Sequence, residues 1–472
     1  MSNQTAQAEE LADPPGASCC WWIGPAFFAL SLTALLVHFA TKYGLDVPPS
    51  ATGDEPSYDS IGWELSQGRG YRIDYSNEQF LEPYLEASRS ADPPLPIPEG
   101  RDGPTALRPP LFPLVIAGTD LLFGRQFWVI RVVNCLAMAA TCGLIAHFAC
   151  RLTGAIPAVV MAFGFLILDV RTRLYARAIL TEALACLLVA GMTAALLRYR
   201  GTGGWKNVVV AGLCLGVAVL DRPMLVVWLP VVALLVVLCK PSRPAGGVPP
   251  LFRWVPRLSE WVPRLCEPCS RVSLFLIAAS IVVVPWMAWN CVRLDAFKPL
   301  GTQGMIELPA GFSDAAWENR GIWRLQPEDE CLADVESRGL SGLQWEVALA
   351  DCRREKAVEW IRTNPGRSIL LGVMKIGQEL RPRTVWQGVL LVLAVVGAFA
   401  MTDRRGALLL VGIVAAQLLA IAMTWSVEGR FMVPLQFPVY ILASCGLGRL
   451  LLSFGLAKRR GLSAVEAERE LK

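Results

Sequence analysis

Long apolar runs recur along this chain of 472 residues and limit what it can fold into. Most have roughly 17–22 residues, the length at which a helix crosses a hydrocarbon core of about 30 Å. Inside lipid, backbone amides and carbonyls must bond to one another, so each run is expected to be helical. The runs lie at about residues 21–40, 109–124, 127–149, 154–169, 179–197, 207–221, 223–239, 272–290, 386–401, 407–424 and 431–453. The sequence therefore predicts an all-α membrane protein, a polytopic bundle of about ten to eleven transmembrane helices.

Composition agrees with a membrane protein and excludes several other classes. Hydrophobic residues make up 54% of the chain and charged residues only 18%, and the mean hydropathy is +0.44. These values are typical of multi-pass membrane proteins. The net charge of +4 comes from Arg and Lys in short loops, as in most inner-membrane proteins. No nucleic-acid partner is indicated, and membrane lipids are the expected surroundings.

Two long polar segments interrupt the apolar runs and set the expected domain organisation. Residues 1–20 are expected to form a disordered tail, residues 21–455 the transmembrane domain, and residues 456–472 a cytoplasmic tail. The polar segments cover residues 41–107 and 291–385, with amphipathic helices expected near 55–67 and 344–362. Clusters of Arg and Lys elsewhere, including the segment 240–271, are expected on the cytoplasmic face. Both long loops and a short turn at Val427–Arg430 then lie on the opposite, extracytoplasmic face of a bacterial inner membrane.

Four cysteines and one repeat stand out in the polar regions. Cys331 and Cys352 lie in the second long loop, where a disulfide would form in an oxidising compartment, so that pairing stays open. Cys266 and Cys269 form a single C-x-x-C motif without a second pair, which argues against zinc. A seven-residue repeat, WVPRLSE followed by WVPRLCE, begins at Trp254. Its Trp and Arg residues predict an interfacial segment on the cytoplasmic face.

Charged residues inside or beside membrane helices are costly and usually functional. On the expected outer face the chain carries three carboxylates and several cations, which are Asp54, Glu55, Glu182, Arg108, Arg222, Arg293, Lys375 and Arg430. A carboxylate can take a proton from a hydroxyl group, and cations can bind the phosphate of a lipid-linked substrate. A structural interpretation stays open beside this one. Asp54 and Glu55 would also suit the N-terminus of the following helix, and the other residues would also suit local ion pairs.

Several short motifs appear in a recognisable order. They are Asp54-Glu55 followed by Gly68-Arg-Gly-Tyr71, Arg108-Pro-Pro-Leu-Phe-Pro113, Tyr175-Ala176 before Thr181-Glu182, Leu220-Asp-Arg-Pro223, Pro285-Trp286 and Arg430-Phe-Met-Val-Pro434. Together they resemble the GT-C superfamily of polytopic glycosyltransferases, in the branch of protein O-mannosyltransferases and the 4-amino-arabinose lipid A transferase. The chain departs from the family pattern at Phe431, where Tyr is usual. The order of Asn290 and Arg293 is also altered.

The resemblance implies an inverting glycosyltransferase that moves a sugar from a polyprenyl-phosphate donor to a hydroxyl acceptor on a protein, lipid or glycan. It implies a catalytic role for the acidic residues, with Asp54 as the base, and donor-phosphate binding by the cations. These sites are Asp54, Glu55 and Glu182 on one side and Arg108, Arg222, Arg293, Lys375 and Arg430 on the other. No cofactor is required with certainty, and the paired carboxylates permit a divalent metal. Two other hypotheses stay open, a transporter or lipid-linked sugar flippase and an inactive assembly partner.

Overall fold

A computed structural model describes residues 21–239, 266–324 and 329–455 of the chain. Its helices in chain order are α1 Ile23–Lys42, α2 Glu55–Ser66, α3 Glu78–Arg89, α4 Leu111–Phe123, α5 Phe127–Thr153, α6 Ala155–Phe163, α7 Val170–Arg177, α8 Glu182–Thr202, α9 Trp205–Asp221, α10 Trp228–Leu238, α11 Cys266–Leu294, α12 Gln303–Ile306, α13 Asp314–Glu318, α14 Glu330–Ser337, α15 Gly342–Thr363, α16 Pro365–Leu380, α17 Val385–Ala400, α18 Arg404–Met423 and α19 Gln436–Ser453. One π-helical segment, Gly164–Leu168, follows α6, and 3₁₀ turns occupy Pro223–Val227, Leu308–Ala310 and Arg430–Leu435. The predicted all-α fold is confirmed.

Six helices in the described part of the chain are long and apolar enough to cross a membrane. They are Ile23–Lys42, Phe127–Thr153, Glu182–Thr202, Cys269–Leu294, Arg404–Met423 and Arg430–Ser453. Two bent pairs bring the number to eight if each pair is one span. The first joins Ala155–Leu168 to Val170–Arg177 at 55°, and the second joins α16 to α17 at 114°. Six to eight spans are fewer than the ten to eleven expected, because some apolar runs form shorter helices, such as Leu111–Phe123 and Pro223–Leu238.

The C-terminal helices α17 and α19 pack closely because glycines face each other at their crossing. A Cβ atom at Gly397 would lie 1.8 Å from the carbonyl oxygen of Leu442. A Cβ atom at Gly446 would lie 2.1 Å from the carbonyl oxygen of Leu393. Small residues allow membrane helices to approach backbone to backbone. This contact fixes α19, and hence the turn that precedes it.

The two long polar segments meet each other at one end of the bundle. The carboxylate of Glu346 on α15 accepts a hydrogen bond from the Ala106 amide at 2.9 Å and another from the Thr302 hydroxyl at 3.0 Å. The guanidinium of Arg293 donates to the carbonyl oxygens of Tyr71 at 2.8 Å and Thr105 at 2.9 Å. These contacts join the first polar segment to the second. The predicted amphipathic helices are present as α2 and α15.

A short antiparallel pairing of Arg72–Ile73 with Gly103–Pro104 also stabilises the first polar segment. This pairing has no sequence signal, because strands of two residues leave no detectable alternation of apolar and polar residues.

At the other end of the bundle, different loops meet. Arg200, near the C-terminus of α8, forms an ion pair with Asp403, which precedes α18. The Cys239 thiol, next to α10, donates to the carbonyl oxygen of Arg405 at 3.3 Å. The loops rich in arginine thus lie together, far from the two polar segments. Which end of the bundle faces the cytoplasm stays a prediction.

A disulfide joins Cys331 on α14 to Cys352 on α15, which are 21 positions apart in sequence. The pairing left open by the sequence is therefore present. Cys331, together with Val335 and Leu349, forms the small apolar core of this part of the second polar segment.

Replacing both Cys331 and Cys352 with Ser is expected to lower the thermal midpoint of the detergent-purified protein by several degrees. Closing a loop of this length removes chain entropy from the unfolded state, worth about 3 kcal/mol. Differential scanning fluorimetry measures the shift, and Cys269→Ser, which changes an exposed free thiol, serves as the matched control. Both thiols reacting with an alkylating reagent in protein purified without reductant would contradict the assignment.

Several predictions fall on residues outside the described part of the chain. The disordered tail 1–20, the WVPRL repeat with most of the segment 240–271, and the tail 456–472 belong to this group. Those interpretations stay predictions.

Candidate active site

Asp54 lies immediately before α2, but its side chain makes no hydrogen bond to the amides of that helix. The carboxylate instead contacts two guanidinium groups from distant parts of the chain. Its Oδ1 lies 2.8 Å from Nη2 of Arg108, and its Oδ2 lies 2.8 Å from Nη1 of Arg430. Arg108 is fixed in turn by donation from its Nε to the Ser57 hydroxyl at 2.7 Å. The side chain of Asp54 therefore does not cap α2.

Glu182 is fully buried in the first turn of α8. Its Oε1 accepts a hydrogen bond from Nε of Arg430 and lies 3.4 Å from Nη1 of Arg222. The positive end of the α8 dipole also favours a carboxylate at this position. Arg171, which is near Glu182 in sequence, instead pairs with Asp169 at 2.7 Å. Glu182 thus belongs to the same cluster as Asp54.

Arg430 is the residue that joins the two acids. It begins the 3₁₀ turn Arg430–Leu435 and reaches Asp54 with Nη1 and Glu182 with Nε. Within the described residues, its hydrogen bonds leave Nη2 free. Arg222 lies just beyond α9, with its guanidinium 5.2 Å from the centre of the Phe431 ring. Five segments of the chain far apart in sequence therefore meet at one cluster, defined here as Asp54, Arg108, Glu182, Arg222 and Arg430.

The cluster keeps Asp54 ionised at neutral pH. Burial alone would raise the pKa of this carboxyl, but the positive charges and hydrogen bonds of Arg108 and Arg430 outweigh it, so the pKa lies well below its usual 3.8. Because the folded value lies below the unfolded one, the ion pairs stabilise the protein above about pH 4. That contribution is lost as the pH falls through the folded value. Asp54 therefore stays charged across the physiological range.

Glu55 faces away from the cluster although it follows Asp54 directly. Its Oε2 accepts hydrogen bonds from the backbone amides of Ser50 and Ile179, each at 3.3 Å. Burial raises the pKa of this carboxyl, and those two hydrogen bonds oppose the rise. Glu55 lines a cavity of about 340 Å³ together with Tyr84, Arg177 and prolines of the first polar segment.

Two predicted phosphate-binding residues lie apart from the cluster. The ammonium group of Lys375 on α16 donates to the carbonyl oxygen of Thr424 at 2.7 Å and lies 3.5 Å from the centre of the Phe312 ring. Arg293 uses its guanidinium on the backbone of the first polar segment, as described above, and stacks 4.6 Å from the Trp289 ring. Both cations are thus engaged by backbone carbonyls, Arg293 by those of the first polar segment and Lys375 by that of Thr424 after α18.

A second cavity, of about 210 Å³, opens beside Arg430 and is lined by cations that are not among the predicted site residues. Arg171, Arg381 and Arg383 line it, together with Glu379 and apolar side chains of α7 and α17. Arg383 lies 3.4 Å from Glu428, whereas Arg381 has no acidic partner within the described ranges. The Arg-Pro-Arg sequence at 381–383, between an amphipathic and an apolar helix, was the available signal.

The two cavities lie on either side of α7. Leu174 lines both, with Arg171 and Tyr175 on one side and Arg177 on the other. The cluster that contains Asp54 and Arg430 lies close to both. In the part of the chain that the structure covers, no group of three or more His, Cys, Asp and Glu side chains is placed to hold a metal ion.

Comparison with protein families gives one match. Residues 107–245 match the family model described as dolichyl-phosphate-mannose-protein mannosyltransferase. This stretch is less than a third of the chain and contains Arg108, Glu182 and Arg222, whereas Asp54 and Arg430 lie outside it. No curated protein matches the sequence.

Solved structures give weaker likenesses. ArnT from Cupriavidus metallidurans bound to undecaprenyl phosphate is 17% identical, with a TM-score of 0.40 over 90% of this chain and 77% of that one. The apo state of the same enzyme is 14% identical, with a TM-score of 0.39 over the same shares. The archaeal oligosaccharyltransferase AglB from Archaeoglobus fulgidus, in complex with an inhibitory peptide and a dolichol-phosphate, is 13% identical. Its TM-score is 0.48 over 96% of this chain and 54% of that one.

Proposed function

We propose that this chain is a polytopic membrane glycosyltransferase of the GT-C superfamily and that it transfers a sugar with inversion from a polyprenyl-phosphate donor to a hydroxyl acceptor. The acceptor is a protein, lipid or glycan at the outer face of a bacterial inner membrane. One observation carries the proposal: Arg430 contacts both Asp54 and Glu182 at the mouth of a cavity lined by further arginines. The family match favours this function over a transporter or flippase.

The donor binds in the cavity that Arg430 lines. A phosphate group needs cations, and Nη2 of Arg430 and the guanidinium of Arg381 are both without a carboxylate in the described structure. Arg binds phosphate well because its planar fork contacts two oxygens at once. The apolar side chains Leu174, Leu380 and Val439 in the same cavity suit the first units of a polyprenyl tail. The family name, with its dolichyl phosphate, supports a donor of this chemistry.

The acceptor belongs on the side of Glu55. The acceptor hydroxyl would reach Asp54 from the cavity that Glu55 and Tyr84 line. Helix α7 would separate the acceptor from the polyprenyl tail of the donor. Asp54 takes the hydroxyl proton as the acceptor oxygen forms its bond to the anomeric carbon. On the opposite face of the sugar, the bond from that carbon to the phosphate oxygen breaks. The polyprenyl phosphate leaves with its charge held by Arg430 and Arg381.

The low pKa of Asp54 makes it a poor base until the donor is bound. A phosphate on Arg430 adds negative charge next to Asp54 and competes for the guanidinium that lowers its pKa. The pKa of Asp54 then rises towards its usual value, and the carboxylate becomes a better proton acceptor. Activation of the base by the donor would limit wasteful reaction with water.

Mass spectrometry of envelope glycolipids and glycoproteins tests the function directly. A strain without the gene should lose one glycan, and the wild-type gene should restore it. The purified protein in nanodiscs should bind undecaprenyl phosphate and not undecaprenol, since the phosphate is what the cations recognise. An unchanged glycan profile together with no preference for the phosphate would refute the proposal.

The side of the membrane can be determined by labelling introduced cysteines. In a Cys269→Ser background, Glu355→Cys places a thiol on the exposed face of α15. We expect an impermeant maleimide to label it in intact spheroplasts, because the disulfide of the same segment suits an oxidising compartment. Lys206→Cys, at the start of α9, is the matched site at the other end of the bundle. It should react only after permeabilisation, and the reverse pattern would place the site in the cytoplasm.

A further inference from the structure

A buried carboxylate on α16, Glu379, holds the turn that carries Arg430. Its Oε1 accepts hydrogen bonds from the Ser426 hydroxyl and the Val427 amide. Its Oε2 accepts from the amides of Gly429 at 2.9 Å and Phe431 at 3.2 Å. Four donors within six residues therefore converge on one side chain. Glu379 is not among the site residues predicted from the sequence.

The turn needs this partner because of its backbone conformation. Glu428 has a φ of +50° and Gly429 a φ of +95°, both in the left-handed region. A non-glycine residue is strained there, and the conformation turns successive amide groups inwards into a concavity that favours an anion. Glu379 supplies the anion from within the protein. Charge-assisted hydrogen bonds of this kind are about twice as strong as neutral ones.

The same face of α16 holds the chain just before this turn. Lys375, one helical turn before Glu379, donates to the carbonyl oxygens of Ala422 at 3.4 Å and Thr424 at 2.7 Å. A cation thus meets the carbonyl end of α18, and an anion meets the amides that follow it. The amides of Gly429 and Phe431, on either side of Arg430, are both fixed by Glu379. The backbone of Arg430 consequently has little freedom.

The position of Arg430 is critical because its guanidinium must reach two carboxylates at once. Nε contacts Glu182 and Nη1 contacts Asp54, so a small displacement of the backbone would break one contact. Glu379 itself lines the donor cavity beside Arg430, but its two oxygens are occupied by the turn. We propose that Glu379 is a positioning residue that acts through Arg430, setting the guanidinium between the base and the donor phosphate. This inference rests on the proposed function.

Glu379→Gln tests the inference, because the amide keeps the shape but turns an N–H group towards the amides of the turn. We expect the rate of glycan formation in membranes to fall about 10- to 100-fold, since displacement of about 1 Å can cost that much. The dissociation constant for undecaprenyl phosphate should change less than about threefold, because the cations stay near the phosphate and only their alignment is lost. A general loss of stability would weaken binding of undecaprenyl phosphate as well as lower the rate.

A double-mutant cycle with Arg430→Lys shows whether Glu379 acts through Arg430. If it does, the double variant should be no more than about threefold slower than Arg430→Lys alone, because the interaction is already lost. The inference is overturned if the rate losses of the two single variants multiply in the double variant. It is also overturned if Glu379→Gln folds and transfers sugar at the wild-type rate. Should Glu379→Gln fail to fold, Glu379→Asp, which keeps the charge but withdraws it by one methylene, is measured with the same expectations.

Asp403→Asn is the matched control. The Asp403 carboxylate also accepts a backbone amide, that of Gly406, but at the opposite end of α18. A helix of this length spans about 30 Å, so its loss should leave the rate unchanged. A rate that falls as much in Asp403→Asn as in Glu379→Gln would reduce Glu379 to a general structural role.

If Asp54→Asn and Arg430→Lys both transfer sugar at the wild-type rate, the proposed function fails, and the inference fails with it. If Glu379→Gln transfers sugar at the wild-type rate while the other two variants do not, the inference fails and the proposed function stands.

Discussion

Asp54→Asn is expected to lower sugar transfer about 10²- to 10⁴-fold, the range that a general base contributes. An amide cannot take the proton of the acceptor hydroxyl, although it can still accept a hydrogen bond from Arg108 or Arg430. The variant should therefore fold and bind undecaprenyl phosphate in nanodiscs. The measurement is the yield of the glycan that is missing in the deletion strain, at matched protein levels.

Asp102→Asn is the control for this variant. Asp102 lies in the same polar segment and accepts a hydrogen bond from the Tyr75 amide, but it lines neither cavity. Its replacement should change transfer less than about twofold, as is usual for surface positions. Near-normal transfer by Asp54→Asn would assign the base to another group, and equal losses in both variants would indicate a general effect on folding.

Arg430→Met is expected to lose both activity and stability. Removal of a preorganised charge partner of the leaving group costs about 10²- to 10³-fold in rate. Loss of the only partner of a buried charge costs about 3–5 kcal/mol. We expect a smaller loss here, because Asp54 keeps Arg108 and Glu182 keeps Arg222 as partners. Arg430→Lys should recover part of the stability but little of the activity, since one ammonium group cannot serve two carboxylates in the same geometry. Glycan yield and the thermal midpoint in detergent measure the two effects.

The matched control is Arg362→Met on the exposed face of α15. It removes the same charge far from the cluster and should leave both quantities within the error of the measurement. Undiminished transfer in Arg430→Met would show that the leaving phosphate does not depend on this residue. Equal affinity of Arg430→Met and wild type for undecaprenyl phosphate would place the donor elsewhere.

The sequence predicted the fold class because apolar length is a local property. A run such as 127–149 must be helical in lipid whatever its neighbours are, and the structure has Phe127–Thr153 there. The number of spans could not be predicted as well, because Leu111–Phe123 and Pro223–Leu238 are apolar but shorter than the helices that could cross a membrane. Whether an apolar helix crosses the bilayer depends on its packing and bends as well as on its composition.

The residue types of the candidate site could also be predicted, since charged residues at the edge of a membrane helix are costly and usually functional. Asp54, Glu182 and Arg430 were singled out, and the structure brings them into contact. Sequence alone did not separate them from Lys375 and Arg293. All five have the same kind of local setting. The difference is that Lys375 and Arg293 donate to backbone carbonyls, a fact with no signature in composition or spacing.

The sequence by itself therefore determined that this chain is a helical membrane protein with acids and arginines at one edge of its helices. These properties follow from interactions within single segments and with lipid. Only the tertiary structure decided that Asp54 shares Arg430 with Glu182, that Glu55 faces another cavity, and that Glu379 holds the turn. Those pairings join residues as far apart as 54 and 430, and such distant contacts depend on how helices pack, which no local pattern encodes.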